Sequence, residues 1–233
     1  IVHREDQQLR EHALLSADAA KSDESEGRAR SAEPDFLRTE FQRDRDKILH
    51  CKSFRRLSHK TQVFLAAEGD HFRTRLTHTL EVAQIARTIA RAIGLNEDLA
   101  EAISLGHDLG HTPFGHKGEE FLSENYQKGC QKRAGRPRYF NHNVHSVRIF
   151  RYILDSNLTL QTLSGILAHN GEKVCREYAP VPLSSFADFD ALLESCYVSR
   201  DAHKSLHPNT LEGCVVRISD MIAYAGKDRQ DLY

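Results

Sequence analysis

The chain has little to offer a covalent scaffold. It holds five cysteines in 233 residues, Cys51, Cys130, Cys175, Cys196 and Cys214, an odd, scattered set with no CxxC pair. That argues against a disulfide framework or a zinc ribbon and for a reducing compartment, the cytoplasm. No apolar run approaches the roughly 18 residues that span a bilayer, and no signal peptide opens the sequence. Charge of one sign is missing too: the formal net charge is −1, so no global field marks a nucleic-acid or membrane-surface binder. There is no internal repeat. The chain opens on Ile1 rather than Met, and Tyr233 stops it inside what reads as a continuing helix, the marks of a piece of a longer protein.

What remains describes an ordinary globular protein, 39% hydrophobic and 28% charged, long enough to bury a sizeable core. Histidine is the unusual entry, with 14 residues. Four acid–base groups, His107, Asp108, His111 and His116, fall within "GHDLGHTPFGH" (106–116), where glycines and Pro113 break any regular element.

Residues 16–35 are small, polar and charged, and the span 1–36 reads as mobile or partly ordered; 37–233 reads as the folded core. Residues 38–57 suggest a surface helix pair. "TQVFLA" (61–66) fits either a short strand or a buried connection, and "GDHF" a turn. The clearest helix is 75–94, in which His78, Val82, Ile85, Ile89 and Ile93 share one face at 3.6-residue spacing. Asn96 caps the next, which ends at Gly106–Gly110. Further helices are expected at 115–127, 142–155, 158–169 and 211–228, with 128–140 as a basic loop and 171–210 mixed. The fold class is all-α.

A histidine on an apolar helix face is ordinarily a satisfied core residue. The pair His107–Asp108 at the inner end of a helix changes that, because a buried aspartate needs a partner or a cation. Asp220 lies one turn after Val216 on an otherwise apolar helix, and Tyr224 and Asp228 continue its face at +4 and +8. Such spacing lines a cavity; a buried tyrosine beside two exposed aspartates is the plainer alternative. His78, His107, Asp108 and Asp220 make a mixed nitrogen/oxygen set for one divalent ion, with Mg, Mn, Fe, Ni or Zn all suitable. A structural zinc would favour cysteine, and helical-bundle cores commonly build such sites from facing helices.

The strings "RTEFQRDRDKILHCKSFRRLSHKTQVF", "TRLTHTLEVAQIAR", "GHDLGHTPFGHKGEE", "FNHNVHSVRI" and "DMIAYAGKD" resemble the HD-domain metal-dependent phosphohydrolases, and within them the deoxyguanosinetriphosphate triphosphohydrolases and their dGTPase-like relatives. The resemblance covers most of 37–170 and 211–232, thins over 171–210, and implies that a large C-terminal part of the usual chain is missing here. It implies an HD-domain helical bundle with a metal site in its core, and hydrolysis of deoxynucleoside triphosphates to deoxynucleoside plus inorganic triphosphate. By the same resemblance Arg75, His142 and, more loosely, Lys117 bind phosphates. His116 with Glu119 supplies acid/base catalysis, and His111 is an active-site neighbour. Gln62, Tyr224 and Asp228 contact the deoxyribose. It also implies a homo-oligomer, a tetramer or hexamer, with single-stranded DNA or a deoxynucleoside triphosphate as a possible class of regulator and no membrane partner. Two other readings compete. One is an HD-domain phosphohydrolase of deoxynucleoside monophosphates, which would release orthophosphate. The other is a regulatory nucleic-acid-binding module using Lys128, Lys132, Arg133, Arg136 and Arg138 beside Tyr139 and Phe140.

Overall fold

The computed structural model describes residues 1–60, 73–170 and 177–227, the side chains of 226 and 227 excepted. Among these residues the fold is helical with no strand. In chain order the helices are α1 (Arg4–Leu14), α2 (Glu40–His50), α3 (Lys52–Arg55), α4 (Arg75–Ala92), α5 (Glu97–Gly106), α6 (Gly115–Ala134), α7 (His142–Arg148), α8 (Leu160–Ala168), α9 (Phe186–Val198) and α10 (Leu211–Lys227). The expected strand or connection at 61–66 and the turn after it lie outside the described residues.

α5 is the central rod, packed against α2, α4, α8 and α10. Its sequence suits that place. Asn96 caps it by accepting from the N–H groups of Asp98 and Leu99, and Leu99 through Gly106 are buried almost without interruption, as a helix surrounded on all sides requires. α8 is buried along its whole length. The two cross closely at Gly165, where a Cβ would stand 2.4 Å from Ile103 Cδ1.

The buried stripe of α4 runs His78, Thr79, Val82, Ala83, Ala86, Ala90. It is turned from the isoleucine face expected from spacing. Ile85 and Ile89 are only partly buried, and Ile93 is 55% exposed. Alanines let α4 lie close to α5, and the bulkier isoleucines are left at the margin of the contact. Two further boundaries differ. α6 runs on to Ala134, so Lys128, Lys132 and Arg133 of the expected basic loop are helical. Within the mixed segment 171–210, α9 forms over Phe186–Val198.

The polar N-terminal span follows a fixed course, although its composition gives no core to explain one. Ser22 N–H and Oγ–H both donate to Glu11 Oε2 at 2.7 Å. Ala20 N–H donates to Glu212 Oε1 at 3.0 Å, and Asn96 N–H donates to that same oxygen at 3.0 Å. Arg28 reaches the buried Asp44 at 2.5 Å, and Asp44 also accepts from the N–H and hydroxyl of Thr159 at 2.8 and 2.6 Å. Side-chain hydrogen bonds do the work that apolar burial does elsewhere. No helix among the described residues is long and apolar enough to cross a membrane.

Candidate metal centre

Three helices deliver the candidate ligands to one place. His78 sits in the first turn of α4, His107 follows the last residue of α5, with Asp108 next, and Asp220 projects from α10. His78 Nε2 is 2.9 Å from Asp220 Oδ1, and His107 Nε2 is 4.0 Å from that oxygen and 3.7 Å from Asp108 Oδ2. Ligands about 2.0–2.2 Å from one ion are separated by roughly 3–4.4 Å from each other, and these three separations lie within that window or at its lower edge. His107 Nε2 is also buried with no hydrogen-bond partner, and His78 Nε2 and Asp220 Oδ1 are buried with none besides each other. Orphaned polar atoms at such depth are costly in a folded protein, and a shared cation is the economical partner for all three. The cluster can hold a divalent ion.

The neighbours set the ring tautomers. His107 Nδ1 lies 2.6 Å from Ser104 O and must donate to it, which leaves a lone pair on Nε2, the state a ligand needs. At His78, Arg73 Nη2 donates to Nδ1 at 2.9 Å, so the neutral ring carries its hydrogen on Nε2. Coordination there requires Arg73 to give way, and Arg73 already pairs with Glu81. Asp108 is held well below the usual carboxylate range: burial opposes ionisation, but Arg75 and then His107 outweigh it. Asp220 is lowered as well, burial again being overcome by His78 and His107.

Arg75, expected to bind phosphate, is fully buried and donates through Nη1 to Asp108 Oδ2 at 2.5 Å. Its Nε and Nη2 have no hydrogen-bond partner. The Tyr224 ring centroid is 5.0 Å from that of His78, and burial, then the nearby Asp108, raises its hydroxyl pKa. Gln62 and Asp228 lie outside the described residues. Lys117 is not drawn in; it stands 90% exposed, paired with Glu120 at 3.2 Å.

The loop after Asp108 turns back over the centre. Gly110 fits because its Cα packs against α7 backbone: a Cβ would meet His142 O at 2.2 Å and Ser146 N at 2.3 Å. Phe114 takes a left-handed φ of 67° just before α6, a strained conformation for an aromatic residue. His111, whose pKa burial pushes down to about 2, is neutral and stacks on His142 at 4.4 Å. His116 is 74% exposed, with Nδ1 3.7 Å from Glu119 Oε2, and the Glu119 carboxylate raises its pKa. Glu119 itself is lowered; burial is outweighed by His142 and then His116. Its closer partner is His142, not His116. His142 Nδ1 lies 2.9 Å from both Glu119 oxygens, and His142 N–H donates to Oε1 at 2.7 Å. The expected His116–Glu119 dyad is therefore part of a longer string.

Three further groups went unnoticed in the sequence. His169, at the end of α8, is buried with its Nε2 3.3 Å from His142 Nε2. Lys60 Nζ donates to the carbonyls of Leu109 and His111 at 3.1 and 2.7 Å, pinning the loop. Arg73 is the third. Only His169 carried a signal, a histidine directly after an apolar helix. The basic segment also loses a member to the body of the protein, since Arg138 pairs with Glu194 at 2.6 Å and lies over the Tyr197 ring.

Imidazoles and carboxylates meeting at the inner ends of helices define a class, and residues 75–225 match the model of the HD domain. The chain belongs to the HD domain family. It is 50% identical over 226 residues to a deoxyguanosinetriphosphate triphosphohydrolase-like protein of Caldanaerobacter subterraneus subsp. tengcongensis, covering 95% of this chain and 54% of that relative. A protein of the same description from Desulfatibacillum aliphaticivorans is 45% identical over 232 residues, 98% of this chain and 57% of the relative. One from Pelagibacter ubique is 45% identical over 216 residues, 89% and 53% respectively. The chain spans about half the length of these curated relatives.

Proposed function

We propose that the protein catalyses metal-dependent hydrolysis of deoxynucleoside triphosphates to deoxynucleoside and inorganic triphosphate. The observation that carries this reading is the meeting of three buried ligand atoms that have no partner outside their own cluster with the two unpartnered donors of Arg75. His78, His107, Asp108 and Asp220 would hold one divalent ion, Mg, Mn, Fe, Ni or Zn. When bound, such an ion supplies Lewis acidity toward an α-phosphate oxygen and toward water.

The side chains meet the other demands. Arg75, locked by Asp108, keeps Nε and Nη2 for phosphate oxygens in a planar fork. His116, at the exposed mouth, carries a proton for the leaving 5′-oxygen, with Glu119 behind it to stabilise the charged ring. His142 adds positive character on the phosphate side, and Tyr224 lies against His78 where a sugar would approach. Cleavage of ribonucleotides at the rate of deoxyribonucleotides would remove the tyrosine from any role in sugar selection. The names of the relatives agree with this substrate class. A homo-oligomer, and regulation by single-stranded DNA or a nucleotide, belong to the same proposal.

The test is to incubate the protein with Mn or Mg and each of the four deoxynucleoside triphosphates and to resolve products by ion exchange. Inorganic triphosphate is the expected product. Orthophosphate released from deoxynucleoside monophosphates would favour the monoesterase reading instead.

A further inference from the structure

We infer that His169 is a positioning residue: it fixes His142 and, through Glu119, the orientation of His116. This rests on the reading above for its catalytic meaning, but the hydrogen-bond argument stands on geometry alone.

The argument follows the hydrogens. His169 Nδ1 lies 2.7 Å from Ile166 O. A carbonyl only accepts, so Nδ1 carries the hydrogen and Nε2 presents a lone pair. That lone pair faces His142 Nε2 at 3.3 Å. On its other side, His142 Nδ1 lies 2.9 Å from both oxygens of Glu119, an ionised carboxylate that can only accept. Nδ1 of His142 therefore donates to Glu119. Were both Nε2 atoms bare, two lone pairs would oppose each other at 3.3 Å, too close for a water to lie between them. One of the two must bear a hydrogen, and the arrangement assigns it to His142, whose ring faces the Glu119 carboxylate that stabilises its charge, while His169 faces only a neutral carbonyl; His142 Nε2 then donates to His169 Nε2.

Two consequences follow. His142 has both nitrogens engaged, so it acts on a substrate anion by charge rather than by a direct hydrogen bond. The grouping of Asp108, His111 and His142, whose ligand atoms lie within 4.8 Å of one another, is then no second cation site, because His142 has no nitrogen to give. The string runs from exposed His116 through Glu119 and His142 to His169, which is 3% exposed and anchored on the α8 backbone. Without that anchor, the His142 ring is free to rotate about its bond to Glu119, and Glu119 loses its fixed aim at His116.

The test compares His169→Leu, which removes the acceptor, with His169→Gln, whose amide oxygen can accept from His142. The leucine variant is expected to lose roughly 10- to 100-fold in kcat, the usual effect of losing an orienting partner, with KM and metal content unchanged. The glutamine variant should recover most of the loss. Wild-type kcat in the leucine variant, or equal loss in both, overturns the inference. A nitrogen–hydrogen correlation spectrum of the wild-type histidines judges it without catalysis: both ring nitrogens of His142 should bear hydrogen, and a bare nitrogen overturns it. If the wild type releases no triphosphate from any deoxynucleotide, the functional reading fails while this spectrum still decides the string.

Discussion

Each histidine at the centre takes its role from what its second nitrogen touches. The Ser104 carbonyl engages His107 Nδ1 and leaves Nε2 free to serve as a ligand atom, burial pushes the His111 pKa down to about 2, and Glu119 raises that of His116. The last has a kinetic signature. His116→Ala should lower kcat by about 10²- to 10⁴-fold without changing metal content, in a product assay beside a metal assay. As an acid His116 must be protonated, and its pKa is raised, so activity is present at lower pH and falls as pH rises through that raised value. Glu119→Gln returns the imidazole toward its ordinary 6.5 and should move the alkaline limb of the pH–rate profile downward. An unmoved limb would separate Glu119 from His116. At this scale the meeting of His78, His107 and Asp108 was legible in the sequence, because a buried aspartate beside histidine has few explanations. His169 showed only the faint signal of a histidine directly after an apolar helix, and its role waits on the fold to bring it to His142.

Helices supply the aim, and their ends matter more than their middles. Asn96 caps α5 and also donates through Nδ2 to Glu11 Oε1 at 3.1 Å and Ala20 O at 3.0 Å. Asn96→Ala should cost about 1–3 kcal/mol, the loss of a cap plus buried hydrogen bonds, read as a lower denaturation midpoint. Gly110→Ala drives a methyl into α7 backbone and should cost about 1–3 kcal/mol or more, with metal content falling too because the loop carrying Asp108 must move. Periodicity placed α4, α5, α8 and α10 correctly, since each has an apolar face or a cap. It misjudged the face of α4, where alanine contacts outweigh isoleucine size. It also stopped α6 too early, because Lys128 to Arg133 satisfy a solvent-exposed helix as readily as a loop.

Across the whole molecule, Glu212 ties the N-terminal span to the helix that carries Asp220. Fully buried, it accepts from Ala20 and Asn96 through one oxygen. Glu212→Ala should release residues 16–35 to limited proteolysis and cost about 1–3 kcal/mol, the penalty of leaving buried donors unpaired. Composition could not reveal this tie, because the partners of Glu212 lie 192 and 116 positions away in the sequence. The all-α architecture was legible at this scale; the course of the N-terminal span was not. The proposed function depends on α4, α5 and α10 bringing His78, His107, Asp108 and Asp220 around one ion. Anomalous diffraction at the manganese edge, on crystals of the protein loaded with Mn, tests that directly. One peak per chain within about 2.0–2.3 Å of nitrogen or oxygen from all four residues is the expected result. A peak elsewhere, or a cluster that closes into hydrogen bonds and takes no ion at saturating metal, would contradict it.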